Sequence, residues 1–107
     1  MRTWGFLTNH AHVVIQIARD PYSTVREIAQ ATGITERAAH AVLQDLRSAG
    51  IVVTERLGRQ NINRVDPAAL ANHRPWGASD MEIPQQLIDA TLQGLARVAT
   101  QSRAEAS

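Results

Sequence analysis

The chain has 107 residues, of which 44% are hydrophobic and only 4% aromatic, so a single small domain with an aliphatic core is expected. It has no cysteine, which excludes disulfides, thiolate metal sites and thiol nucleophiles. The net charge of +1 is unevenly spread: residues 1–76 carry nine arginines against six acids, residues 77–107 carry two against four, and lysine is absent.

The first predicted helix is TNHAHVVIQIARD, residues 8–20. Thr8 or Asn9 caps its start, Ala11, Val14, Ile15 and Ala18 fall on one face, and Pro21 ends it because the residue before a proline avoids helical angles. The second is TVREIAQATG. Thr24 and Glu27 have the S/T-x-x-E spacing of a capping box, Val25, Ile28 and Ala29 form the apolar stripe, and Gly33 supplies a C-terminal residue that tolerates positive φ. The third lies in ITERAAHAVLQDLRSAGI. Thr35 caps it, Glu36 sits where the helix dipole favours an acid, and Gly50 closes it. On a helical wheel Ala39, Val42, Leu43 and Leu46 converge inward, while Arg37, His40, Ala41, Gln44 and Ser48 lie opposite.

After Gly50 the period changes. IVVTERL and NINRVD are β-branched runs joined by a few residues containing Gly58, the signature of a hairpin. Its tip, ERLGRQNINR, holds Arg56, Arg59 and Arg64 with no acid between the first and the last. A projecting turn with three fixed positive charges calls for an anionic partner. Pro67 and AALAN predict a short helical turn, and HRPWGASD reads as a loop. The last helix is expected over 84–102. Pro84 lies in its first turn, and Leu87, Ile88, Leu92, Leu95, Val98 and Ala99 form one stripe; the final RAEAS is expected to fray.

Helix, helix, Gly turn, helix and hairpin is the order of a winged helix-turn-helix. Residues 7–66 resemble the DNA-binding domain of MarR/ArsR-type bacterial and archaeal transcription regulators, on the stretch VREIAQATGITERAAHAVLQDLRSAGIV. An Ile-Ala pair, Ile28 and Ala29, precedes a Gly-hydrophobic turn, and Leu46 with Gly50 matches the L-x-x-x-G-hydrophobic close. The opening WGFLTNHAHVVIQIARDP is similar to a group of small stand-alone winged-helix proteins. The resemblance implies a mainly α fold with a small β-hairpin, order α-α-α-β-β, plus a C-terminal dimerisation helix. The expected parts are a DNA-binding domain over 1–76, a linker over 77–83 and the helix over 84–102.

It also implies a sequence-specific regulator that binds double-stranded DNA as a homodimer. In helix-turn-helix docking the N-terminal part of the second motif helix reaches base edges in the major groove. Here that end offers Thr35, Glu36, Arg37, His40 and Ala41, with Gln44 farther along. Arg37 has the fork that matches guanine. Arg59, after Gly58, suits a narrow minor groove, and Arg56 and Arg64 suit phosphates. Three neutralised phosphates imply a logarithmic salt slope of about −2.7 per protomer, so one copy binds weakly and two half-sites help. The stripe Leu87, Ile88, Leu92, Leu95, Val98 and Ala99 is the expected dimer interface; the competing reading folds it back onto the domain's own core.

Other chemistry finds less support. His10 and His12 are two apart and so diverge on a helix, and His73 is distant, so no metal site or other cofactor is expected. Trp4, Phe6 and Trp76 are read as packing residues, with Trp76 anchoring the linker, rather than as an effector pocket, for which so short a chain has little room. Asp45 and Glu36 read as helix-surface charges, and no nucleophile–base pair or phosphate loop marks an enzyme. No apolar run reaches membrane-spanning length and no signal-peptide pattern opens the chain, so a cytoplasmic protein is expected. The alternative function is a winged-helix adaptor that binds protein without specific DNA recognition.

Overall fold

The structure, a computed structural model, describes residues 3–77, 79 and 81–106, with only the helical backbone for 102–106. Three helices come first: α1 (Asn9–Arg19), α2 (Val25–Thr32) and α3 (Glu36–Ser48). The strands β1 (Val52–Leu57) and β2 (Gln60–Val65) follow, then α4 (Pro67–Asn72) and α5 (Gln85–Ala106). This is the winged helix-turn-helix order with an added C-terminal helix.

The first four helices start where a side chain satisfies free amides. Thr8 accepts from the Ala11 N–H, Thr35 from Ala38, and Asp66 from Ala68 and Ala69. At α2 the capping box is complete: Thr24 Oγ1 accepts from Glu27 N at 3.1 Å, and the Glu27 carboxylate accepts from Thr24 N at 2.9 Å. That backbone N–H, with the Thr24 side chain second, holds the Glu27 carboxyl below its ordinary range. Gly33 ends α2 at φ 73°, a left-handed conformation that costs a Cβ-bearing residue but not glycine. The chain therefore turns within two residues into Thr35, the cap of α3.

The core gathers Val13, Ile17, Ile28, Ala39, Leu43, Leu46 and Val52, all nearly inaccessible to solvent. On α3 the buried set is the expected one, Ala39, Val42, Leu43 and Leu46. On α1 it is Val13, Val14, Ile17 and Ala18, whereas Ala11 and Ile15 are only half-buried, so the buried face is rotated from the expected one. The reason is tertiary: α1 packs against α2, α3, β2 and α5 together. A helix covered on several sides buries an arc wider than one stripe.

The C-terminal helix differs from expectation in length and in part of its packing. It runs from Gln85 to Ala106, so the segment expected to fray is helical through 106. It lies along α1 and touches α4. Ile88 is 1% exposed, and half-buried Leu95 packs on the main core. Ala78 and Asp80 of the expected loop lie outside the described residues, as do Met1, Arg2 and Ser107. Among the described residues no helix is long and apolar enough to cross a membrane.

Candidate nucleic-acid interface

With Ala39, Leu43 and Leu46 inward, the opposite side of α3 is open. Glu36, Arg37, His40, Ala41 and Gln44 are all exposed. Arg37, Ala41 and Gln44 follow one another at helical spacing, with His40 beside them, so one ridge presents a guanidinium, an imidazole, a methyl and an amide. Thr35 is exposed as well, but its oxygen already accepts from Ala38 N at 3.0 Å. Its hydroxyl hydrogen is what remains for an outside acceptor.

The hairpin is antiparallel, in the register Val52↔Val65, Thr54↔Asn63, Arg56↔Asn61 and Leu57↔Gln60. Only Gly58 and Arg59 lie between the strands. Gly58 has φ 61° while Arg59 does not enter the positive-φ region, the pattern of a type II′ turn with glycine first. Arg59 therefore sits at the extreme tip, and its side chain is exposed.

Alternation along the strands separates the other two arginines. Arg56 shares a face with Thr54, Asn61 and Asn63, whereas Arg64, opposite Val53, shares the other face with Glu55 and Ile62. Arg64 Nε lies 3.9 Å from Glu55 Oε2, both side chains being more than half exposed, and Arg64 borders a groove with Leu92 and Ala96 of α5. The three arginines thus do not form one cationic surface. Period-two alternation was visible in the sequence, but the register was not, because the number of residues in the turn decides it.

One residue absent from the expectation organises the site. Arg47, in the last turn of α3, donates from Nε to Thr54 Oγ1 at 2.8 Å and, more weakly, from an Nη to Asn63 Oδ1 at 3.5 Å. Thr54 Oγ1 in turn donates to Asn63 Oδ1 at 2.6 Å. The Asn63 backbone N–H donates to Pro21 O in the α1–α2 loop, so Asn63 joins three parts of the fold and is 4% exposed. A lone arginine at a helix end carries no sequence mark of this role.

The remaining candidates fall elsewhere. His10 Nε2 and Asp45 Oδ2 are 2.9 Å apart, tying α1 to α3, while His12 is half-buried. Among the described residues no group of three or more His, Asp and Glu could hold a metal ion. Trp76 Nε1 donates to Leu70 O at 3.0 Å and anchors the segment after α4. Trp4 and Phe6, by contrast, are 77% and 88% exposed rather than packed. A cavity of about 500 Å³ opens between α1, α3, α4 and α5, lined by Ala11, Ile15, Leu46, Trp76 and Thr91 among others. Room of this size was not expected of so short a chain; it exists because α5 and the Trp76 segment close over one side of α1 and α3.

Of the expected dimer residues, Ile88 has no surface left for a partner. Leu92, Leu95, Val98 and Ala99 are half-buried against their own chain, and Leu87 is 54% exposed.

The sequence model of the MarR family matches residues 4–60, which span α1 to the first residue of β2. No match was found among curated proteins or among solved structures.

Proposed function

The chain belongs to the MarR family of DNA-binding transcription regulators, and from that premise we propose that it binds specific double-stranded DNA sites as a homodimer. In this reading the N-terminal half of α3 enters the major groove. Arg37 forks onto guanine, and His40, Ala41 and Gln44 meet neighbouring base edges. Glu36 accepts from a cytosine amine, and the Thr35 hydroxyl donates to a phosphate. Arg59 enters the adjoining minor groove, where negative potential is concentrated, and Arg56 meets the backbone beside it. Arg64 adds less, because it faces away from Arg56 and lies beside Glu55.

The observation that carries the reading is the open ridge of α3. Arg37, His40, Ala41 and Gln44 are exposed while the other side of the same helix is core. The homodimer rests on α5, which keeps Leu87 exposed and Val98 and Ala99 only half-covered after packing along α1. Two copies would double the few phosphate contacts that one can make.

The experiment is a fluorescence titration with mixed duplex DNA at two salt concentrations, followed by selection of bound fragments from random duplexes. Binding that weakens with salt, and selected sites with two half-sites about one helical turn apart, are the expected results. Absence of binding at low salt would leave the adaptor reading, which the exposure of Trp4 and Phe6 favours.

A further inference from the structure

We propose that Arg47 is a positioning residue that sets the angle of the β-hairpin against α3, and thereby the place of Arg59. Its consequence for DNA rests on the reading above; its structural part does not. A two-stranded hairpin is marginal by itself, so contacts at its base must fix its direction. Val52 buries that base, and Ile62, paired with Glu55 nearer the tip, is buried on the opposite face. The Thr54–Asn63 pair, which lies between these two, is the last tier joined to the body of the protein by these hydrogen bonds. Every residue from Glu55 to Asn61 is exposed.

The hairpin above that tier is a lever. Five residues at about 3.3 Å each separate Thr54 from Arg59, about 16 Å. A tilt of about 10° at the tier would move the tip by nearly 3 Å, comparable to a whole hydrogen-bond length of about 2.9 Å. Small angular freedom at Thr54 and Asn63 is therefore enough to take Arg59 out of a groove.

The chemistry of the tier suits orientation. The planar guanidinium reaches acceptors on both strands from one helix, which a flexible ammonium would not do with fixed geometry. Among the described residues no carboxylate lies within ion-pair distance of Arg47. Its hydrogen bonds thus serve the hairpin rather than a charge partner.

The test uses the free full chain first. Backbone ¹⁵N relaxation at Gly58, Arg59 and Gln60 is compared with that at Leu43 in wild type, Arg47→Met, Thr54→Val and Thr54→Ser. Arg47→Met and Thr54→Val, which lose the hydrogen bond but keep much of the shape, are expected to lower the tip order parameters to below about 0.6 while Leu43 stays rigid. Thr54→Ser keeps the hydroxyl and is expected to match wild type. Tip order unchanged in both Arg47→Met and Thr54→Val would overturn the proposal whether or not the protein binds DNA.

A double-mutant cycle on DNA then tests the consequence. Arg47→Met is expected to weaken binding about tenfold when Arg59 is present, and less than about twofold in the Arg59→Ala background. An equal loss in both backgrounds would mean that Arg47 touches DNA itself and would overturn the positioning role. If wild type binds no DNA, the DNA-binding reading fails, and the relaxation comparison alone decides the proposal.

Discussion

Arg56 and Arg64 occupy opposite faces of one hairpin, because Arg56 pairs with Asn61 and Arg64 with Val53 in a strand geometry that alternates. Two residues eight apart in sequence, both cationic and both beside the same turn, are therefore not equivalent. Arg56→Ala is expected to lower DNA affinity and to reduce the magnitude of the logarithmic salt slope by about 0.9 per protomer. Arg64→Ala is expected to leave the slope nearly unchanged, since its guanidinium faces the α5 side beside Glu55. Titrations of both variants at several salt concentrations check this; equal slope changes would place the two arginines on the same phosphate track.

Arg37 makes a prediction of a different kind. It stands on the exposed ridge of α3 near the helix start, where base edges rather than phosphates are reached. Arg37→Ala should cost about 1–3 kcal/mol on the preferred site and relax selectivity at one base pair. Repeating the random-duplex selection with the variant reads this directly. A uniform loss over all sequences would assign Arg37 to the backbone instead.

Neighbours on α5 separate folding from assembly. Ile88 is buried in its own chain, so Ile88→Ala should cost about 2–5 kcal/mol of folding stability. Leu87 is 54% exposed, so Leu87→Ala should change the stability of the single chain little while shifting a dimer toward monomers. Chemical denaturation and analytical ultracentrifugation distinguish the two. If Leu87→Ala left the association constant unchanged, this part of α5 would not be at the contact.

The capping box of α2 gives a pH dependence. Hydrogen bonds from the Thr24 backbone and side chain lower the Glu27 pKa in the folded state. Its contribution to stability is thus complete above the ordinary carboxylate range and is lost as pH falls through the lowered folded value. Wild type should melt above Glu27→Gln at neutral pH, with the gap closing in acid. A gap that stayed constant across the acid range would mean that ionised Glu27 adds nothing at this cap.

How much of this was legible beforehand depended on the range of the forces involved. Helix starts at Thr8, Thr24 and Thr35, the left-handed stop at Gly33 and the turn at Gly58 are set by neighbours a few residues apart, so the sequence alone placed them. The inward face of α3 was legible too, because its apolar residues keep a single helical stripe. That was enough to mark Arg37, His40, Ala41 and Gln44 as an outward group.

What the tertiary structure alone decided is whatever depends on distant chain segments meeting. On α1 the apolar residues run almost continuously, and contact with α2, α3, β2 and α5 selected Val13 and Ile17 as its deepest positions. Hairpin register turned Arg56 and Arg64 to opposite sides and set Thr54 beside Asn63, giving Arg47 its two acceptors. Docking of α5 along α1 took Ile88 into the chain's own core and left Leu87 outside. Periodicity records that a face is apolar; which surface comes to cover it is settled only when the whole chain competes for the same water-free volume.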